Sequence, residues 1–518
     1  MKVKNPVLPG FNPDPSLVRA GDDYYIATST FEWFPGVCIH HSKDLVNWEI
    51  VSYALTDEEE MDLTGIDTAC GIWAPNLTYH NGVFYLIYTI VYTNRHRFKD
   101  THNFLVTAAD VRGPWSKPVA LNRSGFDPSL FHDPDGKKWL VNMMFDYRLD
   151  HNRFGGVLIQ EYDSQQQKLT GPVYNIFKGS EIGTTEGPNL FYHDGYYYLV
   201  AAEGGTSFHH CVTICRSESV TGPYEMDPDN PVLTSSGAEE IYLKRAGHGQ
   251  IIQAVDGNWY MAHLCSRTID NCSIIGRETA IQNMELTSEG WFRMQGTQGV
   301  TPKEYFEVPD QAEPDPGKDG RADFSRQDIP LDYLTLRKSA KTCGIQVKGG
   351  VLEIRGGNSL SSKFGQGFLA RRQQAFSYDF IAEMEFVPRS YGHMAGVTCY
   401  YNYDNYYYLC KSCGDDGQPF LEVITMENQE MREGERISLP EHKRLFLKAR
   451  VRDRDLQFYY SFDGEEYTAI GAILDMRMLS DERVSGNGFT GAMVGVACQD
   501  LIGDGVTAKF SKLNYMEI

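Results

Sequence analysis

Residues 10–36 read GFNPDPSLVRAGDDYYIATSTFEWFPG, and most of this stretch is a pattern that the chain repeats. A carboxylate or other polar residue stands before Pro, Ser or Asn, an apolar residue follows, and a turn containing Gly or Asp leads into an aromatic-rich strand. The copies are DPSLVRAGDDYYIATS from Asp14, APNLTYHNGVFYLIYT from Ala74, DPSLFHDPDGKKWLVNM from Asp127, GPNLFYHDGYYYLVAA from Gly187 and HGQIIQAVDGNWYMAHL from His248. Their starts lie 60, 53, 60 and 61 residues apart. Paired strands joined through NG, DG or GD turns are hairpins. At this period they predict an all-β chain that opens with a five-bladed β-propeller, four strands to a blade, rather than a solenoid.

In a propeller the innermost strand of every blade runs beside the central axis, so equivalent positions of successive copies converge on one funnel. Asp14 and Asp127 hold that position in their copies, and Glu186 lies one residue before it in TTEGPNL. Three carboxylates from three blades are therefore expected to face one another. A single Asp before Pro also reads as a turn cap, but three acids in one register point to acid–base chemistry. Trp73 precedes the second copy in GIWAPNL, as core between blades or as a wall of the funnel; aromatic walls are what sugar rings stack on. Arg277, in IIGRETAIQNM, is flanked by apolar residues and needs a carboxylate partner or a substrate hydroxyl.

A chain of 518 residues is too long for one core, and two domains are expected. Residues 1–305 contain the repeats. The Pro-, Asp- and Gly-rich segment that follows, FEVPDQAEPDPGKDGRADF, marks a linker placed at 306–322. Beyond it alternating patterns such as YDFIAEMEFVP, FLEVITME and TGAMVGVACQD predict a β-sandwich of jelly-roll type over 323–518.

A net charge of −21, with no basic stripe, argues against nucleic acid or an anionic membrane as partner. The N-terminal MKVKNPVLPGFNPDP contains no apolar run of the kind that targets or spans a membrane, so a cytoplasmic location is expected. The 11 cysteines, an odd number placed mostly inside apolar strands, suit reduced core thiols. Cys410 and Cys413 form a C-x-x-C without a second pair, a weak zinc signal. His248 on the axis is either a hydrogen-bonded floor residue or a ligand to calcium through water. No other cofactor is called for.

Taken together, GFNPDPSL, TSTFEWFPGV, GIWAPNL, FDPSLFHDPDGKKWLVNM, TEGPNLFYHDGYYYL, AAEGGT, GRETAIQ and FTGAMVGVACQD resemble glycoside hydrolase family 43, and within it the β-xylosidases that carry a C-terminal β-sandwich. The resemblance implies an inverting, exo-acting enzyme that frees D-xylose from the non-reducing end of xylo-oligosaccharides. α-L-Arabinofuranosidase activity is implied beside it, or as the main activity instead. Asp14 would be the general base, Glu186 the general acid, and Asp127 the residue that orients the acid and raises its pKa. Phe31 and Trp73 would line the sugar subsite, Arg277 would bind hydroxyls and His248 would form the floor. Phe145 stands where close relatives have Trp. Phe489, in the loop VSGNGFTG, corresponds to an aromatic that relatives insert into the active-site mouth, which makes the sandwich a lid over the funnel.

Such chemistry needs one ionised carboxylate to activate water and one protonated carboxylic acid to protonate the leaving oxygen, roughly 6.5–9.5 Å apart. A non-catalytic sugar-binding propeller would use the same acids only as hydroxyl acceptors. A phosphorolytic enzyme would need a basic pocket near Glu186, and its sequence neighbours offer none. Oligomeric state is left open, a homo-oligomer included.

Overall fold

Each of the five repeats folds as its own antiparallel sheet of four main strands, beginning at the funnel and ending at the rim. The innermost strands are Ser16–Ala20, Gly71–His80, Ser129–His132, Glu186–His193 and Lys244–Gln253. Alternation decides how the strands of a blade pack. In Tyr196–Glu203, for example, apolar side chains fill both faces because each face lies against a neighbouring blade. Phe131, Trp139, Val141 and Ile159 of the third blade thus share one buried cluster with Leu199 and Cys215 of the fourth. Each such side chain contributes on the order of 1.5–3 kcal/mol by leaving water. These are properties of a computed structural model that describes residues 1–238, 240–296, 299–309, 320–440, 444–486 and 488–518.

The repeat register has a conformational signature. Asp14, Ala74, Asp127, Gly187 and His248 all have positive φ, at 55°, 25°, 51°, 57° and 50°. Only glycine takes this left-handed conformation without steric cost. It breaks the strand locally. The inner hairpins of the second, fourth and fifth blades show a register shift between Trp73 and Asn76, Glu186 and Asn189, and Gly247 and Gln250. In the first and third blades the inner strand begins only at Ser16 and Ser129. Bulges of this kind re-aim side chains next to active sites.

The ring is closed outside the blades. Lys2–Lys4 pairs antiparallel with Tyr305–Glu307, placing Val3 opposite Phe306. Asn5 adds a two-way clip, donating from Nδ2 to the Ile281 carbonyl at 2.8 Å and accepting the Ile281 N–H at 2.9 Å. Part of the stretch expected as linker therefore belongs to this closure, with Phe306 and Val308 buried. Residues 310–319, the remainder of that expectation but for its last three positions, lie outside the described residues.

The C-terminal domain is two stacked antiparallel sheets. One runs in the order Ile345–Lys348, Val351–Arg355, Thr507–Glu517, Tyr378–Glu385, Arg444–Arg452, Asp455–Ser461, Thr468–Asp475. The other is built around His393–Asn402, Asn405–Cys413, Met493–Asp500 and Gly367–Arg372. Phe380, Ala382, Val397, Leu409, Leu447 and Val496 form the core between them. Cys410 and Cys413 lie three apart on one strand and hence on opposite faces, and all 11 cysteines are free and buried. Among the described residues no helix is long and apolar enough to cross a membrane.

The second sheet does not stop at the domain border. Trp33–Phe34, from an excursion of the first blade, pairs with Tyr333–Leu336 and becomes its last strand. Trp33 is fully buried, with Phe368 and Tyr400 of the sandwich 5.9 and 6.1 Å from its ring. One continuous apolar cluster holds Phe11, Phe31 and Trp73 of the propeller together with Leu336, Phe368, Tyr400 and Met493 of the sandwich. Buried polar contacts stitch the same border, Arg372 Nε donating to the Phe11 carbonyl at 2.6 Å and Arg337 Nε to the Ile66 carbonyl at 2.8 Å. An interface made like a core holds two domains in one orientation.

Candidate active site

The three acids meet at the funnel in unlike surroundings, Asp14 and Asp127 from left-handed positions and Glu186 from the residue before one. Asp14 is buried, accepts two hydrogen bonds and has a further basic group nearby. Ser29 Oγ–H donates to Oδ2 at 2.6 Å, Arg277 Nη1 donates to Oδ1 at 2.9 Å, and His248 Nδ1 stands 3.9 Å from Oδ1. Burial alone would raise this carboxyl. The Arg277 guanidinium, then His248 and the Ser29 hydroxyl, outweigh it and hold Asp14 below the ordinary carboxylate value.

Glu186 begins the inner strand of the fourth blade. Burial, joined by the Asp14 charge, pushes its carboxyl up to about 7 against the pull of Lys99 and Arg277. Asp127 is raised as well, chiefly by burial and then by Glu186 and Asp14, while His248 and the Gly187 N–H work the other way. Asp127 touches the acid's strand directly, since Oδ2 accepts the N–H of Gly187 at 2.9 Å. The upward push on Glu186 thus comes first from burial rather than from Asp127.

The walls are aromatic. Phe31, Trp73, Phe126 and Phe145 form a chain of ring contacts at 5.8, 5.4 and 6.2 Å. Phe31 owes its place to a two-way backbone bridge with Ile72, at 3.0 Å each way. Gly71 makes that bridge feasible, because a Cβ there would meet the Phe31 carbonyl oxygen at 2.2 Å. Phe489, from the sandwich, lies edge-on to Trp73 at 6.0 Å. Its carbonyl accepts from Arg277 Nε at 3.0 Å and Nη2 at 2.9 Å. Arg277 is therefore shared between Asp14 and the second domain, with its guanidinium 5.3 Å from the Phe31 ring and 5.6 Å from the Phe489 ring. His248 lies under Gly187, where a Cβ would touch the imidazole at 3.0 Å.

All residues expected from the sequence thus come together, and others join them that the sequence did not point to. Lys99 reaches in from the tip of the second blade's long hairpin, its Nζ 4.6, 4.9 and 5.4 Å from the rings of Trp73, Phe126 and Phe145. Burial lowers its ammonium to about 8, opposed by Glu186 and Asp127. In sequence it sits in the polar tip YTNRHRFKDTHN and reads as a solvated turn. The one available signal is length, since the strands Val83–Arg95 and Phe98–Ala108 overrun those of the other blades. Ser29 and Thr206 lie inside quoted motifs without a chemical cue of their own.

A cavity of about 10 Å³, room for one water, lies on the axis among Asn76, Asp127, Asn189, His248 and Gln250. Among the described residues, side chains spaced to hold a metal occur only in the sandwich, at His393, Asp500 and Asp504. That group is engaged otherwise. Asp500 accepts the N–H groups of Gly503 at 2.7 Å and Gly505 at 2.8 Å, and His393 Nδ1 accepts the N–H of Arg389 at 3.1 Å.

Both domains match known families. Residues 321–516 match the beta xylosidase C-terminal concanavalin A-like domain. The chain is 42% identical to "Xylosidase/arabinosidase 43B" of Humicola insolens, over 100% of this chain and 98% of that protein. It is 41% identical to "Beta-xylosidase" of Bacillus subtilis (strain 168), over 100% of both. A solved structure of xylan beta-1,4-xylosidase from Bacillus halodurans C-125 superposes with a TM-score of 0.97 at 45% identity, covering 99% of this chain and 100% of that one. Residues 3–292, the span of the five blades and their funnel, match glycosyl hydrolases family 43, and the chain belongs to that family.

Proposed function

We propose that the chain is an inverting, exo-acting β-1,4-xylosidase that releases D-xylose from the non-reducing end of short xylo-oligosaccharides, with α-L-arabinofuranosides as secondary substrates. The observation that carries this reading is the meeting of three acids from three blades in one aromatic-walled funnel, with Asp14 bound by Arg277 and Ser29 and held low while Glu186 is raised to about 7. Relatives that bear the names β-xylosidase and xylosidase/arabinosidase support the substrate class.

In the proposed reaction the Asp14 carboxylate takes a proton from a water whose oxygen attacks the anomeric carbon. Glu186 gives its proton to the glycosidic oxygen as the carbon–oxygen bond breaks, and xylose leaves with inverted configuration. Asp127, through the Gly187 N–H, fixes the strand that carries the acid. Phe31, Trp73 and Phe145 stack on the terminal sugar, Arg277 and His248 bind its hydroxyls, and Phe489 closes the mouth.

Glu186→Gln and Asp14→Asn test the division of roles. Glu186→Gln is expected to lose about 10³-fold in kcat on xylobiose and far less on a dinitrophenyl xyloside, whose leaving group needs no proton. Asp14→Asn should fail on both. Equal failure of the two variants on both substrates would show the roles to be misassigned. A calcium ion held through water beside His248 is a finer reading, supported only by the water-sized axial cavity that His248 lines. Chelation that leaves the rate unchanged removes it.

A further inference from the structure

We infer that Glu203 is a positioning residue for Glu186: its buried carboxylate fixes the loop that delivers the acid into the funnel, and so governs proton transfer to the leaving oxygen. The inference rests on the proposed reading of Glu186 as general acid. Glu203 closes the strand Tyr196–Glu203, one residue after Ala202, the register partner of Glu186. It is 0% exposed and follows the apolar run Leu199, Val200, Ala201, Ala202. A carboxylate in such a place requires donors.

All its side-chain hydrogen bonds come from the segment just before the acid. Oε1 accepts from the Ser180 N–H at 2.8 Å and from Thr185 Oγ1 at 2.7 Å, and Oε2 accepts from Ser180 Oγ at 2.7 Å. Thr185 is the immediate neighbour of Glu186. Among the described residues Glu203 makes no ion pair, so its bonds answer to the placement of this loop and to no charge partner. The loop closes tightly. A Cβ on Gly179 would stand 2.3 Å from Thr185 Oγ1, and the Gly204 N–H donates to the Gly183 carbonyl at 2.8 Å.

The same turn reaches the other half of the site. Two residues past Gly204, Thr206 accepts from Arg245 Nη2 through its carbonyl at 2.8 Å, and its Oγ1 lies 3.4 Å from Arg277 Nη1. Glu203–Thr206 thus holds the acid's loop at one end and meets the guanidinium that serves Asp14 at the other. A general acid must stand within hydrogen-bond reach of the leaving oxygen. A loop loosened by a fraction of an ångström would lose that reach without emptying the sugar pocket.

The test is kcat on xylobiose against kcat on a dinitrophenyl xyloside, in the full chain carrying Glu203→Gln or Thr185→Val. The amide of Glu203→Gln turns a donor toward donors. This variant should lose about 10²-fold on xylobiose and less than about threefold on the activated substrate. Thr185→Val, which removes one hydroxyl at constant shape, should lose about tenfold on xylobiose alone. If Glu203→Gln does not fold, Thr185→Val decides. Equal losses on both substrates would mark Glu203 as a fold residue only and overturn the inference, as would unchanged turnover of xylobiose. Glu186→Gln is measured in parallel. Should it fail to separate the substrates, the acid assignment and this inference fall together; should it separate them while Glu203→Gln does not, the inference alone falls.

Discussion

The two sides of the funnel tune their carboxyls in opposite directions, although Asp14 is buried and Glu186 only half-buried. On the base side a guanidinium, an imidazole and a hydroxyl converge on Asp14, and their attraction exceeds the penalty of burial. On the acid side Lys99, its own ammonium lowered to about 8, and Arg277 pull Glu186 down, and burial joined by the Asp14 charge prevails over them. The difference teaches that partners, rather than depth, decide which acid is charged. It also shows where the second domain acts. The Phe489 carbonyl accepts from two nitrogens of the guanidinium that also binds Asp14, so under the proposed roles the sandwich bears on the base as well as on the mouth.

Removing the guanidinium should erase the contrast most completely. Arg277→Met leaves Asp14 buried with its main counter-charge gone, so its carboxyl rises and the acidic limb of the kcat/KM profile moves to higher pH. A loss of about 10²–10³-fold at the optimum is expected. An unmoved acidic limb would mean that Arg277 serves the sugar alone. Lys99→Met sharpens the contrast from the other side. Because Lys99 lowers Glu186, its loss raises that carboxyl further, and the basic limb, expected near pH 7 in the unaltered chain, should move up by roughly one unit. A downward shift in the pH profile would contradict the assignment of that limb to Glu186. Ser29→Ala deletes one hydrogen bond to Asp14 and is the mildest change. The acidic limb should rise by less than in Arg277→Met with kcat nearly retained, and a shift as large as that of Arg277→Met would reverse the ranking of the two partners.

The blades were legible because their signal is redundant: five copies of one turn chemistry fix both the period and the funnel positions, and two of the funnel acids fall directly on the register. Arg277 was legible as a cation among apolar residues, which needs a partner wherever it lies. Other features carry no such signal. Trp33–Phe34 is a strand of two residues, too short for alternation to show, so its membership in the sandwich sheet emerges only from the tertiary pairing with Tyr333–Leu336. Lys99 looks solvated because the local sequence is that of an exposed hairpin tip, and only the overhang of that hairpin turns it inward. Glu203 is an acid beside two glycines in AAEGGT, as fit for a turn as for a buried anchor. Lys2–Lys4 shows no strand pattern until Tyr305–Glu307 supplies its partner.

The shared left-handed conformation at Asp14, Ala74, Asp127, Gly187 and His248 gives the five blades a common kind of socket. Glycine fits such a socket at no conformational cost, and any other side chain pays roughly 1–2 kcal/mol for entering it. Gly187 is the socket in its relaxed state. The two aspartates and the histidine are departures from it, each adding chemistry to a backbone that would be calmer without it. The chemistry of a propeller of this construction accordingly depends on which side chain each socket holds, and on whether its neighbours leave room for one, as His248 does not at Gly187. The direction of least resistance among occupants runs toward glycine, and so toward silence.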